Sequence, residues 1–171
     1  MAPEQKTNWQ LYKSSGDLLN SAMKSWVEEN NSLMKRLNDE KQEIVLNVLS
    51  EEMCTHSESE LNLVDATGNL RKIFLTGSSN IVFAESFFCS EVIEKFSKFG
   101  KLENEPLGKF LFSDPNITKH ETYVATYSLG DDVYQGRKCI YDFAGTKFSV
   151  IEVFLFNAVS YTHLTLPTIL L

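Results

Sequence analysis

The apolar positions divide the chain into a short helical front and a long body rich in strands. Residues 1–16 are polar and read as a lead-in. After Asp17, the positions Leu18, Leu19, Ala22, Met23, Trp26 and Val27 recur at helical spacing, with Asp17 placed to cap that helix. Asn30 and Asn31 interrupt the stripe, and Ser32 can cap a second short helix ending at Leu37. Two short helices joined by a polar turn suit a flap laid across another element.

Alternation then replaces helical spacing. Ile44, Leu46 and Val48 alternate, Leu61–Val64 is a weaker strand, and two β-rich runs flank Gly77-Ser78-Ser79-Asn80 as a hairpin. Ser90 is placed to cap a helix carrying Val92, Ile93, Phe96 and Phe99, with Gly100 as its stop. Pro106 opens another short helix over Leu107–Phe112. HETYVATYSL, RKCIYDFA and TKFSVIEVFLF supply three further strands, the last two turning through Ala144-Gly145. About six strands joined mostly by tight turns predict an α+β fold, a single antiparallel sheet with helical flaps.

One domain over 17–157 accounts for this pattern. The final stretch, 158–171, has no Asp, Glu, Lys or Arg and reads as a non-native read-through. That reading sets His163 aside and leaves the domain truncated at its C-terminal end.

Charge narrows the partners. The 171 residues carry 16 Lys+Arg against 23 Asp+Glu, a net −7, which argues against binding nucleic acid or an anionic membrane. No apolar run approaches the ~20 residues of a membrane span, and MAPEQKTNWQ lacks a signal peptide's apolar region. A cytoplasmic monomer is the expectation. With 12 Phe among 43% hydrophobic residues, the chain can bury a sizeable core.

Several chemistries lack their residues. Cys54, Cys89 and Cys139 are too few and too widely spaced for a disulfide framework. Cys54-Thr55-His56 is a lone C-x-H where zinc needs three or four ligands, so no metal is expected. No G-x-S-x-G accompanies His56 and His120, and Gly130 and Gly136 do not space as a phosphate loop. The acidic stretch from Glu51 to Glu60 reads as a solvated loop or edge.

The informative feature is charge on apolar strand faces. Glu152 shares a face with Phe148, Val150, Phe154 and Phe156; Arg71 with Ile73 and Leu75; Glu85 with Ile81, Phe83 and Phe87. Burying an unpaired charge costs on the order of several kcal/mol, so such residues are paired or bound to something. One reading is a structural salt bridge from Glu152 or Glu85 to Arg71. The other is a greasy pocket with an Arg at one end and a Glu at the other, holding a flat molecule with a carboxylate and a hydroxyl.

The motifs resemble a known family. Leu70-Arg71-Lys72-Ile73-Phe74-Leu75, Pro106-Leu107-Gly108-Lys109-Phe110-Leu111-Phe112, Gly136-Arg137-Lys138 and Ile151-Glu152-Val153-Phe154-Leu155 occur in the order of the bacterial chorismate–pyruvate lyases. That family carries an L-R-E-I-L-L strand, a P-L-G-x-x-L-F helix, a G-R-R segment and a T-E-L-F-L strand. Ser32-Leu33-Met34-Lys35-Arg36-Leu37 also looks like its S-M-T-K-R-F segment. The resemblance implies helical flaps over a buried site and cleavage of chorismate to 4-hydroxybenzoate and pyruvate, without cofactor or metal. It also implies that Arg71 grips the ring carboxylate and Glu152 faces the ring hydroxyl. Leu107 would pack on the ring, with Leu33 and Met34 lining the pocket.

One departure stands out. The family's second hairpin strand carries a G-R-T-type stretch, where this chain has Ala84-Glu85-Ser86. Glu85 could then pair with Arg137 or Arg71. A second function class is a non-catalytic binder of aromatic carboxylates, related to the effector domains of GntR-type regulators. Those need a basic DNA-binding domain upstream, which the residues before the first strand do not supply.

Overall fold

The computed structural model describes residues 1–13, 19–40 and 43–156. Among them the chain forms an α+β fold built on one antiparallel sheet. Six long strands carry it: β3 (Val45–Glu58), β4 (Leu63–Thr76), β5 (Asn80–Cys89), β6 (Ile117–Leu129), β7 (Asp132–Phe143) and β8 (Thr146–Phe154). Two dipeptide strands, β1 (Glu4–Gln5) and β2 (Gln10–Leu11), pair with β6. The order across the sheet is β1-β6-β7-β8-β5-β4-β3. The first residues are therefore laid along a sheet edge, where Trp9 packs 5.9 Å from the Tyr127 ring.

Tight turns set the hairpin registers. Ala144 and Gly145 both take positive φ, 48° and 93°, which joins β7 to β8 through the two-residue turn such hairpins favour. β3 is longer than its alternating start suggests and absorbs much of the acidic stretch, with a register shift between Val48 and Ser50. Glu58 lies buried there against Ser149 and Lys138, with Glu60 just beyond also bonding Lys138; neither is simply solvated.

Short helices cover one face. α1 (Ser21–Val27) is capped by Asn20, whose Oδ1 accepts from the Met23 amide at 2.8 Å. The cap expected at Asp17, like Leu18 and the 158–171 tail, lies outside the described residues. α2 (Leu33–Asp39) is capped by Ser32 as its sequence predicts. Met23, Trp26 and Val27 of α1 and Leu33 and Leu37 of α2 bury themselves against Ile73, Leu75, Val82 and Phe154. Removing such side chains from water is worth roughly 1.5–3 kcal/mol each, which is what holds seven-residue helices in place.

α3 (Ser90–Lys95) and α4 (Gly108–Leu111) complete the cover. Ser90 does not cap α3: its hydroxyl donates to the Thr67 carbonyl, and a separate 3-10 turn over Ser97–Gly100 follows. Cys89 and Cys139 are buried core residues beside a cluster of phenylalanines. No helix among the described residues is long and apolar enough to cross a membrane.

Candidate active site

Register fixes which residues meet. Arg71 pairs with Ser86 and Ser86 with Val150. Two residues along, Ile73 pairs with Ala84, Ala84 with Glu152, and Glu152 with Arg137. Alternation puts all of these on one face of the sheet. Between Val82 and Phe88 on that face, β5 offers the small side chains of Ala84 and Ser86, which leave space above them. A chamber of ≈ 80 Å³ results. A single water needs roughly 10–15 Å³ by the same measure, so the space suits a small organic molecule.

Two flaps roof the chamber. Leu33 and Met34 enter from α2; Pro106, Leu107 and Leu111 enter from α4 and the residue stretch before it. Where the flaps meet, a Cβ on Gly108 would stand 3.3 Å from the Ser32 hydroxyl. Glycine lets the two roof segments approach.

The chamber holds two buried guanidinium groups in opposite electrostatic states. Arg137 is 2% exposed. Its Nε donates to Glu152 Oε1 at 2.8 Å, and its Nη1 donates to the carbonyls of Trp26, Val27 and Glu29. Those carbonyls lie at the end of α1, where a helix leaves acceptors unsatisfied. Burial alone would lower the Arg137 pKa, but the Glu152 carboxylate beside it outweighs this and holds it above its ordinary value. Arg137 is thus fully compensated.

Arg71 is not. It is also 2% exposed, and its Nη2 donates to the carbonyls of Glu103 and Glu105 at 2.7 and 2.8 Å. No carboxylate forms an ion pair with it among the described residues, and its Nε is buried without a partner. Burial lowers its pKa, with only the more distant Glu51 opposing. A buried cation with an unused donor is the arrangement that an anionic ligand would complete.

Other polar residues also line the chamber: Asn31 and Ser32 on the flap side, and Ser86 and Tyr141 on the sheet. Burial, reinforced by Cys139 and Glu152, pushes the Tyr141 phenol up, so it stays protonated and can donate. Among the described residues no group of His, Cys, Asp and Glu could hold a metal ion.

The five residues that the family resemblance assigns to the site, Arg71, Glu152, Leu107, Leu33 and Met34, all line this chamber. Of the two readings of these charges, the structural salt bridge from Glu152 to Arg71 does not form, because Glu152 stands in register with Arg137 and pairs with it. Glu85 is not in the chamber. Strand alternation turns it to the opposite face, where it lies 3.8 Å from Lys72 and lines a separate cleft with His56 and Lys138. It pairs with neither Arg71 nor Arg137. Arg137 was visible in the sequence only as part of a Gly-Arg-Lys motif. Its role depends on the β7–β8 register, which alternation along one strand does not reveal.

A roofed chamber with one guanidinium that has no ion pair among the described residues, one carboxylate and largely apolar walls is the candidate site for a small molecule. The chain belongs to the chorismate lyase family, whose sequence model matches residues 4–165. A probable chorismate pyruvate-lyase of Pseudoalteromonas translucida (strain TAC 125) is 27% identical, over 90% of this chain and 94% of that protein.

Proposed function

We propose that this protein cleaves chorismate to 4-hydroxybenzoate and pyruvate, the step that opens ubiquinone-type quinone synthesis. The observation that carries the reading is Arg71, a buried guanidinium whose Nε has no partner and which has no ion pair among the described residues, in the wall of a chamber roofed by two flaps. Family membership and a relative named for this activity support it.

Chorismate has a ring carboxylate, a ring hydroxyl and an enolpyruvyl ether ending in a second carboxylate. The reaction breaks the ether C–O bond at the ring and removes the hydrogen from the hydroxyl-bearing carbon. The departing enolpyruvyl group gains a proton at its methylene carbon and becomes pyruvate, while the ring becomes aromatic. Aromatisation drives the reaction downhill. The protein's task is to select a reactive conformer, exclude water and stabilise shifting charge.

In this reading Arg71 anchors the ring carboxylate through its planar fork. Glu152, held from behind by Arg137, accepts from the ring hydroxyl and so fixes the carbon that loses its hydrogen. Leu107, Leu33 and Met34 pack on the ring and close off solvent. No cofactor takes part.

Incubating the purified protein with chorismate and assaying both products tests the proposal. Equimolar 4-hydroxybenzoate and pyruvate support it. Binding of 4-hydroxybenzoate without pyruvate release would make the protein a non-catalytic binder.

A further inference from the structure

Glu51 and Arg71 stand directly opposite each other across the β3–β4 pair, yet they form no ion pair with one another. A bulge brings Glu51 there. Val48 pairs with Ile73 and Ser50 with Lys72, so Leu49 is the extra residue. In an unbulged register Leu49 would face Lys72 and Ser50 would face Arg71; bulges re-aim side chains in this way.

Both charges act instead on one loop. Glu51 Oε2 accepts from the Leu102 amide at 2.7 Å and Oε1 from the Glu103 amide at 2.8 Å. Arg71 Nη2 donates to the carbonyls of Glu103 and Glu105 in the same loop. The carboxylate thus takes the loop's N–H groups and the guanidinium takes its C=O groups. Asn69 Nδ2 donates to Glu51 Oε2 at 2.9 Å and fixes the carboxylate's rotamer.

The loop is otherwise strained. Glu103 has φ +54°, a region that residues other than glycine seldom occupy and that persists where surroundings enforce it. Hydrogen bonds on both sides of this residue supply the enforcement. Directly after the loop come Pro106, Leu107 and Gly108, which roof the chamber.

We propose that Glu51 is a positioning residue that acts through the 102–105 loop. It orients the carbonyls that hold Arg71, and it keeps the α4 flap closed over the chamber. This rests on the reading of the chamber as a site for an aromatic carboxylate.

The test compares wild type, Glu51→Ala and Glu51→Gln as full chains by three readouts: amide exchange over 101–112, calorimetric binding of 4-hydroxybenzoate, and chorismate kinetics. Glu51→Ala is expected to speed exchange in that segment while β5 and β8 stay protected. It should weaken 4-hydroxybenzoate binding at least tenfold and raise KM by a similar factor, with kcat changed far less, because an anchor serves ground state and transition state alike. Glu51→Gln keeps one acceptor oxygen but turns an NH2 toward a backbone N–H, so it should fall between. Wild-type exchange and affinity in Glu51→Ala would overturn the proposal. If that variant does not fold, the same result in Glu51→Gln would overturn it. Should wild type neither bind 4-hydroxybenzoate nor turn over chorismate, the reading of the chamber fails, and exchange over 101–112 alone decides whether Glu51 holds the loop.

Discussion

Arg137 Nε donates to Glu152 Oε1 at 2.8 Å across the β7–β8 pair, and the same guanidinium holds the carbonyl end of α1. One side chain therefore couples the site's carboxylate to the docking of a flap. Arg71, equally buried, has no such carboxylate among the described residues. The two arginines differ in their partners: Arg137 is tied to a carboxylate and a helix end, whereas in the proposed function Arg71 takes the ligand's carboxylate.

Arg137→Ala should be strongly destabilising. It strands Glu152 without its partner and frees the α1 carbonyls, and breaking a buried pair by removing one member costs about 3–5 kcal/mol. Urea unfolding measures this directly. A loss below about 1 kcal/mol, the range of surface pairs, would show that the pair carries little of the fold.

Arg71→Met should behave in the opposite way. Truncating one partner of a buried, hydrogen-bonded charge pair costs about 2–5 kcal/mol of binding, so kcat/KM for chorismate should fall by a factor of roughly 30 to several thousand. Stability should fall less than in Arg137→Ala, since an uncompensated buried charge is removed. Steady-state kinetics beside urea unfolding separates the two effects; near-normal turnover would remove Arg71 from the anchor role.

Glu85 sits on the far face of the sheet, near Lys72, His56, Glu58 and Lys138. Burial pushes its carboxyl above the ordinary value of 4.5, and Lys72 only partly offsets this. The folded state thus binds this proton more tightly than the unfolded state. Its contribution to stability is fully present below 4.5 and declines as pH rises through the higher folded value. Glu85→Gln should therefore gain on wild type in unfolding free energy between acid and neutral pH. A difference that stays constant over that range would contradict the assignment.

Gly68 crosses β5 at close quarters. A Cβ there would lie 2.4 Å from the Phe88 carbonyl oxygen and 2.6 Å from the Phe87 ring. The backbone oxygen cannot step aside alone, so Gly68→Ala should break the β4–β5 register locally and lower the thermal midpoint by several degrees. An unchanged midpoint would mean that the pair opens at little cost.

Much of this was legible in the sequence because strand alternation is a local signal. It put Arg71 with Ile73 and Leu75, and Glu152 with Val150, on faces that the structure brings to one chamber. Which strands lie side by side is not local. The pairing of Glu152 with Arg137, and of Glu85 with Lys72 on the other face, was therefore hidden from strand alternation. β1 and β2 have two residues each, too few for any periodicity, and pair with β6. Ser90 looked like a cap, but the neighbouring Thr67 carbonyl competes for its hydroxyl.

In the proposed function Arg71 and Glu152 hold the two ends of one aromatic acid. A crystal structure of the protein soaked with 4-hydroxybenzoate tests it most directly. The account predicts the carboxylate within hydrogen-bond distance of the Arg71 guanidinium and the phenol oxygen beside Glu152, under Leu107. Density for the ligand elsewhere, or in this chamber with its carboxylate turned away from Arg71, would contradict it.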